Sequence, residues 1–122
     1  MKLTVLLAED EPALRDIFEE LLLSLGHHCI AAVDGTEALE LVRLHIPHVV
    51  VTDYMMPGRT GVEVMHAVHA DPRLKHVRVI LMSSAPPPES DRNAAWRFLA
   101  KPIEFELLER TLKEAALAHG GG

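Results

Sequence analysis

The chain has 122 residues, enough for one folded domain with a single core and too few for two. Apolar residues make up 48% and charged residues 25%, with a formal net charge of −6, so the basic footprint that nucleic acid demands is missing and direct nucleic-acid binding is not expected. No apolar run approaches the ~20 residues that span a bilayer, the amino terminus turns acidic where a signal peptide would stay apolar, and the lone cysteine, Cys29, has no internal disulfide partner; a cytoplasmic protein with no membrane partner is expected.

Apolar runs alternate with segments of helical period along the chain. LTVLLA (3–8) predicts a first strand. Pro12 suits a first helical turn, Leu14, Ile17, Phe18, Leu21, Leu22 and Leu25 recur at spacings of three and four, and Gly26 supplies a stop, which together predict a helix. CIAAV (29–33) reads as a weaker second strand, and Asp34 with Glu37 resembles a capping box opening a helix to about His45. HVVVTD (48–53) is the third strand, followed by a loop through Pro57 and Gly58 and a helix over about 61–70. VRVILM (77–82) and WRFLA (96–100) are the fourth and fifth strands, and a helix from Glu104 to about His119 closes the domain. The domain is expected to cover 1–119, with 120–122 a terminal glycine tail. Between the last two strands Pro86, Pro87 and Pro88 cannot sit inside a helix, leaving roughly two turns over 90–95. A shortened or irregular fourth helix is expected there, with 85–95 the most mobile segment.

This alternation predicts an α/β fold, a doubly wound parallel sheet covered on both faces. Right-handed crossovers bring every strand's carboxyl end to one edge, where open α/β sheets bind ligands. That edge collects Glu9, Asp10 and Glu11 after the first strand, Asp53 after the third, Ser83 and Ser84 after the fourth, and Lys101–Pro102 after the fifth. Each has a plain structural account on its own: Asp10 or Glu11 can cap the next helix, and serines are common in such loops. Their conjunction asks for more. Converging carboxylates repel and raise one another's pKa, a hard dication relieves the conflict, and Lys101 offers a compact positive charge for a phosphoryl group.

The residues AEDE, DYMMPG, SSA and KP, in this order on these strand ends, resemble a receiver domain of the two-component response regulators, from Leu3 to about Leu117. The resemblance implies a flavodoxin-like five-stranded sheet of order 2-1-3-4-5 and a phosphoacceptor, Asp53, that takes its phosphoryl group from a histidine kinase or histidine phosphotransfer protein. It implies Mg²⁺ or Mn²⁺ held by Glu9, Asp10, Asp53 and the main-chain carbonyl of Met55, with Glu9 standing where many members carry aspartate. Ser84 would hydrogen-bond the phosphoryl oxygens, Lys101 would contact them beside a cis Lys101–Pro102 bond, and Ser84 and Phe98 would form the switch. The chain would then be a stand-alone response regulator, a phosphate shuttle or a detached receiver, catalysing only its own phosphorylation and dephosphorylation. It would signal to a downstream protein partner as a monomer or a weak phosphorylation-dependent dimer. Met55 and Pro86, flanking the approach to Asp53, are expected to slow loss of the phosphoryl group.

Two other classes are weaker. A phosphohydrolase using an aspartyl-phosphate intermediate would want a general acid where Met55 stands and a cap for which the chain has no room. A pseudo-receiver serving only as an adaptor would not need the full acidic, hydroxyl and lysine set. His66 and His69 share a helix without a third ligand at metal spacing, so no second metal site is expected. Cys29 reads as a core residue, and of Trp96 and Phe98 one is expected to face inward and the other outward.

Overall fold

The computed structural model describes residues 2–119; the glycine tail expected at 120–122 lies outside the described residues. Five strands, β1 (Thr4–Ala8), β2 (His28–Ala32), β3 (Val49–Asp53), β4 (Arg78–Ser83) and β5 (Arg97–Ala100), pair in parallel in the order β2-β1-β3-β4-β5. Five helices connect and close them: α1 (Pro12–Ser24), α2 (Gly35–His45), α3 (Gly61–Ala70), α4 (Glu89–Ala94) and α5 (Phe105–Ala118). A 3₁₀ turn, Pro72–Leu74, joins α3 to β4 and was not legible in the pattern. No helix among the described residues is long and apolar enough to cross a membrane.

The strands sort their side chains by a period of two. Leu6 and Ala8 of β1 enter a core with Leu39 and Val42 of α2 and Val64 and Met65 of α3, whereas Val5 and Leu7 enter a second core with Phe18 and Leu22 of α1 and Leu108 and Leu112 of α5. β3 is buried along its whole length, Asp53 included. The sheet is therefore covered on both faces, and only its two edges present polar groups.

Local chemistry fixes the loops at those edges. Thr60 and Glu63 form a reciprocal capping box on α3. Asp34 accepts the Glu37 N–H at 2.8 Å as expected, but Glu37 returns its carboxylate one residue earlier, to the N–H of Val33 at 3.0 Å. Glu11 occupies the N-cap of α1 without a side-chain bond, so neither it nor Asp10 caps that helix; Pro12 has no N–H to offer, and the Glu11 N–H itself donates to Glu9 Oε2 at 3.2 Å. Gly58 has φ +77°, a left-handed turn that favours glycine.

The fourth helix is short, as its prolines dictate: α4 has six residues and none is buried. Trp96 and Phe98 do not divide into one inward and one outward side chain. Both are half-buried, Trp96 against the α1–α5 core and Phe98 against the α2–α3 core. Trp96 precedes β5, so the alternation of the strand does not extend to it. Cys29 is half-buried with its thiol pushed up to about 12 by burial and by Glu19, in keeping with a packing role.

Candidate functional site

The carboxyl ends of β1, β3, β4 and β5 meet in a recess of about 370 Å³ lined by Glu9, Asp10, Asp53, Met55, Ser84 and Lys101. Glu9 is 1% exposed and Asp53 5%, both far more buried than carboxylates ordinarily are. Lys101 reaches both, with Nζ 2.5 Å from Asp53 Oδ1 and 3.0 Å from Glu9 Oε1. Its own N–H donates to the Ser83 carbonyl at 2.9 Å, which sets β5 at the height of the acidic pair, and the Lys101–Pro102 bond is cis, as the resemblance implies.

Several contacts hold these side chains in place. The Glu9 main chain is gripped at both ends: its N–H donates to Ala32 O at 3.2 Å and its carbonyl accepts Arg15 Nη1 at 2.8 Å. The Asp53 carbonyl passes so close to Gly61 that a Cβ there would lie 2.0 Å from it, so a glycine is required to start α3 beneath the site. Tyr54 is anchored on three sides: its N–H donates to Met82 O at 2.8 Å, its carbonyl accepts Gly61 N–H at 2.9 Å, and its hydroxyl donates to Asp91 Oδ2 of α4 at 3.0 Å. Arg15 and Tyr54 are supports the sequence did not reveal, because partners 6 and 37 residues away meet only through the fold.

The charges are in conflict. Burial, then the neighbouring Glu9, pushes the Asp53 carboxyl up to about 8, against the pull of Lys101. Burial would raise Glu9 as well, but its hydrogen bonds with Asp53 and Lys101 outweigh that and hold it below the usual carboxylate range. Lys101 is partly desolvated, yet the two carboxyls hold its pKa above the ordinary lysine value. The two carboxyls and the ammonium therefore titrate as one coupled cluster, in which burial and Glu9 favour the protonated form of Asp53.

Asp10 completes a set in which one ligand oxygen each from Glu9, Asp10 and Asp53 lies within 4.8 Å of the others. A hard dication with oxygen ligands suits that set, and it would displace the proton from Asp53. Met55 is 66% exposed on the same rim, and Ser84 is exposed at its mouth, in the middle of the turn that Ser83 Oγ closes by donating to Ala85 O at 2.6 Å. Phe98 is set back from the recess, packed against the α2–α3 core, and Pro86 lies outside the residues that line it. An apolar groove of about 580 Å³, lined by Leu14, Ile17, Phe18, Ile103 and Phe105, opens beside the recess and shares Ser84 and Lys101 with it.

Comparison with known proteins gives a consistent result. The family model for the response regulator receiver domain matches residues 5–113. The chain is 32% identical to the chemotaxis protein CheY of Pseudomonas aeruginosa over 115 residues, covering 90% of this chain and 93% of that protein. It is 28% identical to the polar-differentiation response regulator DivK of Brucella anthropi, covering 93% and 95% of the two chains. Among solved structures, the chemotaxis response regulator CheY4 of Vibrio cholerae superposes with a TM-score of 0.86 at 27% identity, over 94% of this chain and 99% of that one.

Proposed function

Since the chain belongs to the response regulator receiver domain family, we propose that it is a signalling switch set by phosphorylation of Asp53. The observation that carries this reading is the buried Asp53 between Glu9 and Lys101, a carboxyl whose placement costs stability and is explained by chemistry at that atom. The donor is the phosphohistidine of a histidine kinase or phosphotransfer protein. An Asp53 oxygen attacks phosphorus, the P–N bond breaks, and the leaving imidazole keeps the electron pair and takes up a proton. A carboxylate is a weak nucleophile, so positioning and charge neutralisation supply the acceleration.

Glu9, Asp10, Asp53 and the Met55 carbonyl would hold Mg²⁺ or Mn²⁺, which, when bound, offsets the charge of the phosphoryl oxygens. Lys101 turns from its two carboxyls toward the incoming phosphoryl group, and Ser84 donates its hydroxyl to it. Movement of Ser84 draws on the loop after β4, and Phe98 repacks behind it to pass the change to a downstream protein. The apolar groove that shares Ser84 and Lys101 with the recess would offer the donor protein a seat beside Asp53. The chain catalyses only its own phosphorylation and dephosphorylation, in the cytoplasm, as a monomer or a weak phosphorylation-dependent dimer.

The test is intact-mass analysis after incubation with a small acyl phosphate. One phosphoryl adduct is expected with Mg²⁺, mapping to Asp53, and none with EDTA or in Asp53→Asn. A full adduct on the Asn variant would overturn the assignment.

A further inference from the structure

A second recess, of about 320 Å³, lies at the opposite edge of the sheet, where the short α4 ends. Its walls are His69 at the end of α3, Lys75 and His76 after the 3₁₀ turn, Arg78 at the start of β4, Ala94 at the end of α4, and Trp96. Among the described residues no carboxylate lines it, although the chain carries 18 acidic residues against 12 lysines and arginines. The acids of this region are engaged elsewhere: Asp71, two residues before Arg73, pairs with that arginine at 2.9 Å.

Arg78 is the centre of the imbalance. It is half-buried, and among the described residues neither it nor Lys75 takes part in an ion pair. The buried Nε of Arg78 has no hydrogen-bond partner. Its Nη1 sits 3.1 Å from His119 Nε2, but the same ring nitrogen lies 3.1 Å from the His48 carbonyl. One imidazole nitrogen cannot donate to the carbonyl and accept from the guanidinium at once. A half-buried guanidinium with an orphaned donor and a contested acceptor is a cation awaiting a counter-charge. Trp96 is held beside it, with Arg78 5.6 Å and Arg97 4.1 Å from the ring centroid.

We propose that this recess binds the phosphate group of a small molecule, with Lys75, His76 and Arg78 supplying positive charge and Trp96 an aromatic wall. An arginine and a lysine converging on one site suit a multiply charged oxyanion, and the volume is at the small end of ligand pockets. The site is remote from Asp53 along the strands and works independently of its phosphorylation.

The experiment uses the one tryptophan of the chain as reporter. The indole N–H signal of Trp96 is followed by NMR at low ionic strength with EDTA present, during titration with pyrophosphate and, separately, ADP. A saturable shift below roughly 10 mM is expected, weakened about tenfold or more in Lys75→Gln/His76→Gln, both exposed positions, and unchanged in Asp53→Asn. Response to both probes identifies the phosphate group alone as the determinant; response to ADP alone identifies a nucleotide. No saturable shift with either probe, or an equal shift in the double variant, overturns the proposal.

Discussion

At the amino edge of the sheet the Nδ1 atoms of His27 and His48 accept the N–H groups of Leu3 and Thr4 at 3.1 and 2.9 Å, and the His119 ring packs edge-on against His48 at 5.1 Å. At the carboxyl edge, on the other end of the same β1, Glu9 and Asp53 confront each other across Lys101. The first arrangement gives neutral acceptors to main-chain donors that would otherwise go unmet, and it fixes where β1 begins. The second forces like charges together and holds a proton where a carboxylate would be ionised in water. Polar groups at the amino edge are satisfied and build the fold; those at the carboxyl edge are left in conflict. Arg78, at the amino edge, is the exception there, with no ion pair among the described residues.

The largest effect that separates the edges is kinetic. Lys101→Met is expected to slow phosphoryl transfer to Asp53 about 100- to 1000-fold, the loss usual for one charge-stabilising donor, while His27→Ala leaves the rate within about twofold. Single-turnover phosphorylation with an acyl phosphate measures both, and equal losses in the two variants would erase the distinction.

Stability against pH is the next contrast, because the two edges have slopes of opposite sign. Asp53 titrates near 8 when folded and near its usual 3.8 when unfolded, so the folded state holds more protons between those values and stability falls as pH rises through that window. Glu9, held low, acts the other way: its contribution is present above its usual value of 4.5 and lost as pH falls below it. Metal-free Asp53→Asn removes the falling slope and is expected to be more stable at pH 8 by about 2 kcal/mol, a rise of several degrees in Tm. Thermal melts of both proteins across pH 5 to 8 in EDTA, roughly the window between the two Asp53 values, are the check. At the other edge burial lowers the pKa of His27 and of His119, so their contributions are present above 6.5 and lost as pH falls below it. His27→Ala leaves the Leu3 N–H unmet, costs about 1–2 kcal/mol at neutral pH, and flattens that acid-side loss. A variant as acid-sensitive as the parent would show that the imidazole is not the titrating group.

The smallest effect concerns the link between the site and α4. Tyr54→Phe removes the bond to Asp91, a loss of about 0.5–1.5 kcal/mol at most. With no α4 residue buried, that loss appears locally. Amide exchange over 89–94 is expected to quicken several-fold while exchange in β3 is unchanged; an equal change in both would mean that Tyr54 supports the core instead.

Much of this was legible in the sequence because it rests on short-range rules. The alternation of apolar runs placed every strand and helix within one residue of its observed bounds, and three prolines foretold the short α4. The parallel topology then brought Glu9, Asp10, Asp53, Ser84 and Lys101 to one rim. What escaped depends on distance in the chain. The imidazole acceptors join residues 24 and 44 positions apart, and the histidines look like surface residues until β1 is laid beside them. Arg78 is an ordinary strand residue in the sequence; only packing shows that no carboxylate of the described residues pairs with it. Glu11 makes no side-chain cap on α1, and the bond from its N–H to Glu9 depends on how the chain turns at the site.

The central claim is that burial and Glu9 hold the Asp53 carboxyl well above the ordinary carboxylate range, and that a divalent cation reverses this. NMR titration of the Asp53 side-chain carboxyl carbon, with and without Mg²⁺, tests it most directly. The account predicts a midpoint near 8 in the metal-free protein and a fall to the ordinary acidic range when Mg²⁺ is added. A midpoint near 3.8 in both conditions would contradict it.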